Sequence, residues 1–267
     1  MIHPTAIIHP NARLGASVHV GPYAIIDENV ELGPDCVVGP YVYLTGQTVI
    51  GPENRFYAAC VIGEAPQDVK YHGEPTGLRI GKGNSFREHV TVHRSTKPGE
   101  ETNIGSENYF MANAHIAHNC QIGNSVIIAN AAALGGYAIV EDRAFISANC
   151  LIHQFCRVGT LALMQGGSAV SKDLPPFTLA KNINELCGLN VVGMRRAGLT
   201  SEERLELKRL YHALFRSGRN LRTALAEARK ENWSGPAGTL LQFIESSKRG
   251  VPAHIGRRVD QLDPESI

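Results

Sequence analysis

The chain has 267 residues, long enough to bury a sizeable core either in one elongated domain with an appendage or in two globular domains. It contains no run of about 18 apolar residues, and no basic segment followed by an apolar stretch opens it; no membrane span or secretory signal is therefore expected, and a cytoplasmic location is. The net charge of +1 is uneven: residues 1–190 carry 12 Lys and Arg against 16 Asp and Glu, and residues 191–267 carry 14 against 9, a balance that fits an acidic protein partner for the C-terminal part and gives no reason to expect a nucleic acid.

From Ile2 onward an aliphatic or aromatic residue recurs every six positions. The series begins Ile2, Ile8, Leu14, Val20, Ile26 and Leu32, resumes in phase at Ile80 and again at Ile104, and ends at Val170 after more than twenty repeats. A period of six fits neither an amphipathic helix nor a lone strand; it fits short strands joined by turns, three to a triangular coil of about 18 residues. Small residues stand four positions after the guide residue in most repeats, and five of the six cysteines (Cys36, Cys60, Cys120, Cys150 and Cys156) fall there, which reads as core filling. The sequence contains no C-x-x-C pair that would suggest a metal or redox site. This is the signature of the hexapeptide-repeat family, and that resemblance, not the spacing, implies a left-handed parallel β-helix.

We expect the β-helix to span residues 1–175. Residues 68–79 and 98–103 interrupt the repeat without shifting its phase, so they are expected to loop out of the prism. Pro175-Pro176 ends the repeat, and residues 176–190 read as a linker. Residues 191–267 read as a helical domain covering the open end. Thr200 and Glu203 form a capping-box pattern for one helix, two more are expected at 221–231 and 236–248, and residues 253–267 are expected to fray.

The densest group of reactive side chains is Asn113-Ala114-His115-Ile116-Ala117-His118-Asn119-Cys120. The two histidines lack a local third ligand, so no metal is expected. Positions 18 apart stack on consecutive coils, which sets His118 beneath Gly136 and Gly136 beneath Gln154. A base with a backbone N–H one coil away is a workable arrangement for acyl transfer.

Four further segments complete a specific pattern: Gln67-Asp68-Val69-Lys70-Tyr71 with Gly73-Glu74-Pro75-Thr76, Val92-His93-Arg94, His153-Gln154-Phe155-Cys156 and Arg216-Ser217-Gly218. Together with the histidine segment they resemble the UDP-N-acetylglucosamine acyltransferases of lipid A biosynthesis. The resemblance implies transfer of a fatty acyl group, with 3-hydroxyacyl chains anticipated, from acyl carrier protein to the 3-hydroxyl of UDP-N-acetylglucosamine. It implies a homotrimer with sites between subunits, and no cofactor. By the same resemblance His118 would be the general base and the Gly136 amide the oxyanion donor. Asp68, Lys70, His115, His153, Gln154, Asn190 and Arg196 would contact the UDP-sugar, and Gln165 and Gly166 would limit acyl length. Asn119, Tyr137, Val192 and Ala197 stand where the family leads one to expect aspartate, histidine, glutamate and arginine. A 3-amino UDP-sugar as acceptor, a coenzyme A-dependent sugar acetyltransferase and, more distantly, a γ-type carbonic anhydrase remain alternatives.

Overall fold

The computed structural model describes residues 1–254. Among the described residues, strands of two to five residues form three flat faces of nine, eight and eleven strands, wound as a left-handed parallel β-helix whose third face includes an antiparallel hairpin strand. The register states the period directly. Ile7 pairs with Ile25, and Ile127 with Phe145, each 18 residues on. The offset grows to 30 between Val61 and Thr91 and to 24 between Thr91 and His115, so one loop of 12 extra residues and one of 6 are accommodated while the guide residues on either side of each stay buried.

The guide residues form a continuous dry column, in which Phe56, Phe86 and Phe110 stack with ring centroids 4.9 and 4.8 Å apart. Beside them the buried amides of Asn54, Asn84 and Asn108 form a ladder, each Oδ1 accepting from the backbone N–H of the next coil's residue. Corner residues three positions after the guide adopt left-handed backbone angles, among them Asn113, Asn119, Tyr137 and Phe155. That conformation costs a non-glycine residue about 1–2 kcal/mol, and at these four corners the amide is bonded to the coil before it, Asn113, Tyr137 and Phe155 to carbonyls and Asn119 to Thr102 Oγ1. The five cysteines on the repeat are buried, and burial pushes the Cys60 and Cys120 thiols up to about 12, which makes them poor nucleophiles.

Three boundaries differ from the sequence-based expectation. The first excursion runs over 65–76, because Gly77–Ile80 is already a strand paired to Gln47–Ile50. The second runs over 94–100, because Glu101–Ile104 pairs to Gly77–Ile80. An insertion that is a multiple of six leaves the phase intact on both sides, so the period alone cannot locate its ends. Residues 176–190 are largely strand: Thr178–Lys181 continues one face in parallel with Leu163–Met164, and Glu185–Leu189 returns antiparallel. Pro175-Pro176 interrupts the guide series, but backbone pairing resumes two residues later.

Four helices follow: α1 (Val191–Arg196), α2 (Ser201–Phe215), α3 (Leu221–Ala228) and α4 (Gly235–Ser246). The Thr200–Glu203 capping box is present at α2. Helix α1, only six residues long, has no sequence periodicity to announce it; α3 stops short of 231 and α4 short of 248. Leu207, Leu210 and Leu214 of α2, with Leu240 and Ile244 of α4, bury against Leu161 and Phe177 of the last coils. Ala253–His254 adds a strand beside Glu185–Leu186, so pairing extends into the tail expected to fray, the rest of which lies outside the described residues. Among the described residues no helix is long and apolar enough to cross a membrane.

Candidate active site

The nine-stranded face carries a groove of about 580 Å³. Its floor is set by the register: His115, Ala133, Leu151 and Ala169 occupy successive rungs, and Ile183 of the terminal hairpin bridges to Ala169. At about 4.8 Å per rung the floor extends roughly 19 Å from His115 to Ile183. One end is polar, with Gln67, His115 and His118; beyond it the floor is aliphatic.

His118 sits at the corner after strand His115–Ile116, and Gly136 at the equivalent corner one coil later. The 18-residue stacking thus brings them together: a Cβ on Gly136 would lie 2.4 Å from His118 Cε1 and 2.6 Å from Nε2. Among the described residues the Gly136 N–H has no hydrogen-bond acceptor, while its carbonyl accepts from Phe155 N–H at 3.0 Å. A rigid backbone donor is therefore free beside the imidazole. His118 Nδ1 lies 2.9 Å from Asn119 Oδ1, so Nδ1 carries the proton and Nε2 the lone pair. The Tyr137 ring stands edge-on to His118 at 5.5 Å, is stacked on Phe155, and its hydroxyl lies 3.1 Å from Thr96 Oγ1.

His115 is half-buried, its Nδ1 2.7 Å from Thr91 Oγ1, and burial pushes its pKa down. Behind it lies His93, for which neither the repeat nor the resemblance implies a role. It is 5% exposed, edge-on to His115 at 5.0 Å, and its Nδ1 has no partner. Burial first, then the neighbouring His115 and His118, lowers the His93 pKa from 6.5 to about 4. The unfolded chain therefore binds a proton between pH 6.5 and about 4 that the folded chain refuses, and stability falls as pH drops through that window. The full effect is up to about 3 kcal/mol. His93→Phe is expected to lose less stability than the parent between pH 7 and pH 4.5 in denaturant titrations; parallel losses would contradict this.

His153 and Gln154 are exposed in the groove one coil above Gly136. Asp68 and Lys70 lie on the first loop, where Asp68 Oδ1 accepts from the Lys70 N–H at 2.9 Å; of this loop only Gln67 lines the groove. Arg94 ties the loop down through Gly63 O and the Tyr71 hydroxyl. Asn190 caps α1, accepting from Gly193 N–H at 2.9 Å and donating to Leu161 O at 2.8 Å, so both ends of its amide are engaged within the chain. Arg196 is exposed on the last turn of α1. Neither residue lines the groove of the single chain, and nor do Gln165 and Gly166, which follow strand Leu163–Met164 on another face. Among the described residues no three His, Cys, Asp or Glu side chains gather as a metal site would require.

The family model for domain 2 of UDP-N-acetylglucosamine O-acyltransferases matches residues 173–252, and the bacterial transferase hexapeptide model matches residues 101–136. An acyl-[acyl-carrier-protein]--UDP-N-acetylglucosamine O-acyltransferase from a Janthinobacterium strain is 48% identical, the alignment covering 94% of this chain and 98% of the relative. The corresponding protein of Alkalilimnicola ehrlichii is 49% identical over the same shares. The chain belongs to the UDP-N-acetylglucosamine O-acyltransferase family. The crystal structure of the acyltransferase from Bacteroides fragilis superposes with a TM-score of 0.88 at 37% identity, covering 94% of this chain and 99% of that one. Four positions carry residues other than those the resemblance led one to expect. Tyr137 fills its corner with an aromatic stack, Val192 is exposed on α1, and Ala197 caps the end of that helix. Asn119 is 5% exposed and fully hydrogen-bonded.

Proposed function

We propose that the chain transfers a fatty acyl group from acyl carrier protein to the 3-hydroxyl of UDP-N-acetylglucosamine, the first step of lipid A biosynthesis, as an acyltransferase working without a cofactor. The observation that carries this reading is the base-and-donor pair, His118 Nε2 beside the free Gly136 N–H, at the polar end of an aliphatic groove. His118 Nε2 takes the hydroxyl proton as the oxygen attacks the thioester carbonyl. The Gly136 N–H stabilises the oxyanion, and the C–S bond breaks as His118 returns the proton to the leaving thiol. The groove is far longer than an acetyl group needs, which supports a fatty acyl donor over a coenzyme A-borne acetyl group.

His115 at this end, with His153 and Gln154 on the coil above Gly136, is assigned to the sugar nucleotide, together with Asp68 and Lys70 of the first loop, which lie outside the groove of the single chain. The exposed Arg196 is assigned to a nucleotide site shared between subunits, with Asn190 positioning the start of α1 beside it, and we assign the working unit as a homotrimer in the cytoplasm. Acyl length is assigned to Ile183, at the far end of the groove, and to Gln165 and Gly166, which lie outside the groove of the single chain. The excess of basic residues after residue 190 suits an acidic carrier protein.

The test is turnover with UDP-N-acetylglucosamine, and with its 3-amino counterpart, against a panel of acyl carrier protein thioesters, with coenzyme A thioesters in parallel. Carrier-dependent acylation of the 3-hydroxyl is expected. Preference for the amine, or for acetyl-coenzyme A, would replace this reading by the corresponding alternative.

A further inference from the structure

A carboxamide has one accepting end and one donating end of nearly equal size, so only its partners decide which way it points. For Asn119 the choice matters because the amide faces the Nδ1 side of His118. With Oδ1 toward the ring, the imidazole proton rests on Nδ1 and Nε2 is basic. With the NH2 group toward the ring, the proton moves to Nε2, where it meets the sugar hydroxyl and no base remains.

The second loop surrounds this amide. Oδ1 accepts from the Thr96 N–H and from Thr96 Oγ1, both at 3.0 Å, while Nδ2 donates to Ser95 Oγ at 2.7 Å and to Glu100 Oε2 at 2.8 Å. The two hydroxyls can each donate or accept and cannot tell the ends apart. A backbone N–H only donates and an ionised carboxylate only accepts, so Thr96 N–H and Glu100 are the partners that discriminate.

We infer that Glu100 is a positioning residue for acyl transfer: it accepts from Asn119 Nδ2, turns Asn119 Oδ1 toward His118, and so keeps the lone pair on Nε2. Its other oxygen, Oε1, lies 3.7 Å from Lys97 Nζ, which holds the carboxylate ionised and acceptor-only toward Asn119. The Glu100 side chain is 45% exposed and lies outside every strand and helix, so its removal leaves the prism's pairing intact. The inference rests on the reading of His118 as base.

The test is a double-mutant cycle. Glu100→Ala is expected to lower kcat about ten-fold with KM for the sugar nucleotide unchanged. In the Asn119→Asp background the same substitution is expected to hold or raise the rate, since a carboxylate at 119 has no wrong orientation and is relieved of a like-charged neighbour. A loss by the same factor in both backgrounds, or no loss in the parent, overturns the inference. Nitrogen-15 shifts of histidine-labelled protein give a readout independent of turnover: Glu100→Ala is expected to shift neutral His118 toward the Nε2–H tautomer, and an unchanged tautomer overturns the inference as well. Full activity in His118→Ala would instead remove the base assignment beneath it, which separates the two failures.

Discussion

Replacing His118 by alanine is expected to lower kcat by about 10²–10⁴-fold while the protein keeps its fold and oligomeric state. The imidazole lies at a corner outside the aliphatic column, so its loss opens no core cavity, and the positive backbone angles belong to Asn119 and not to His118. The free Gly136 N–H and the groove survive, so residual turnover well above the uncatalysed rate should remain, and KM should move far less than kcat. Initial rates with saturating acyl carrier protein thioester, beside size-exclusion profiles of parent and variant, make the measurement. Near-parent turnover would show that proton removal is managed elsewhere.

Gly136→Ala should be nearly as damaging although it removes no reactive group. The added methyl would stand 2.4 Å from His118 Cε1, well inside contact distance. The backbone cannot retreat, because Gly135 N–H is bonded to Ile152 O, Tyr137 N–H to His118 O and Phe155 N–H to Gly136 O. The imidazole must therefore swing away, giving up its Asn119 contact, and the methyl shadows the backbone donor. Misplacement of a catalytic group by about 1 Å costs on the order of 10²-fold, and loss of an oxyanion donor about as much. A kcat loss of at least about 10²-fold with unchanged thermal stability is expected; activity within a few-fold of the parent would show that His118 works from another position.

The repeat made the centre of this site legible, whereas Asp68, Lys70, Asn190, Arg196, Gln165 and Gly166, named by resemblance alone, do not line the groove of the single chain. A six-residue period places each guide residue, and three periods place His118 under Gly136, because stacking turns sequence separation into distance. The Thr200–Glu203 box is equally legible, since its partners are three residues apart. What escaped lacks such a local rule. The ends of the two excursions are invisible to a phase-preserving insertion. The hairpin from Thr178 to Leu189 follows a proline pair that reads as a stop. Asn119 met Glu100 only because the second loop folds back 19 residues onto the coil. His93 showed itself as a buried, unpartnered ring, which no residue count reveals.

Because every coil adds a fixed thickness, this architecture can change its dimensions only in whole units. Gain or loss of one 18-residue turn between His118 and Ile183 would move the far wall by a single strand spacing of about 4.8 Å, whereas six or twelve residues would leave the prism as a loop, as the two excursions do, without lengthening the groove. Fine adjustment of the hydrocarbon a homologue accepts must then come from exchanging side chains on an unchanged frame, so lineages drift in preference by substitution and jump only by duplication.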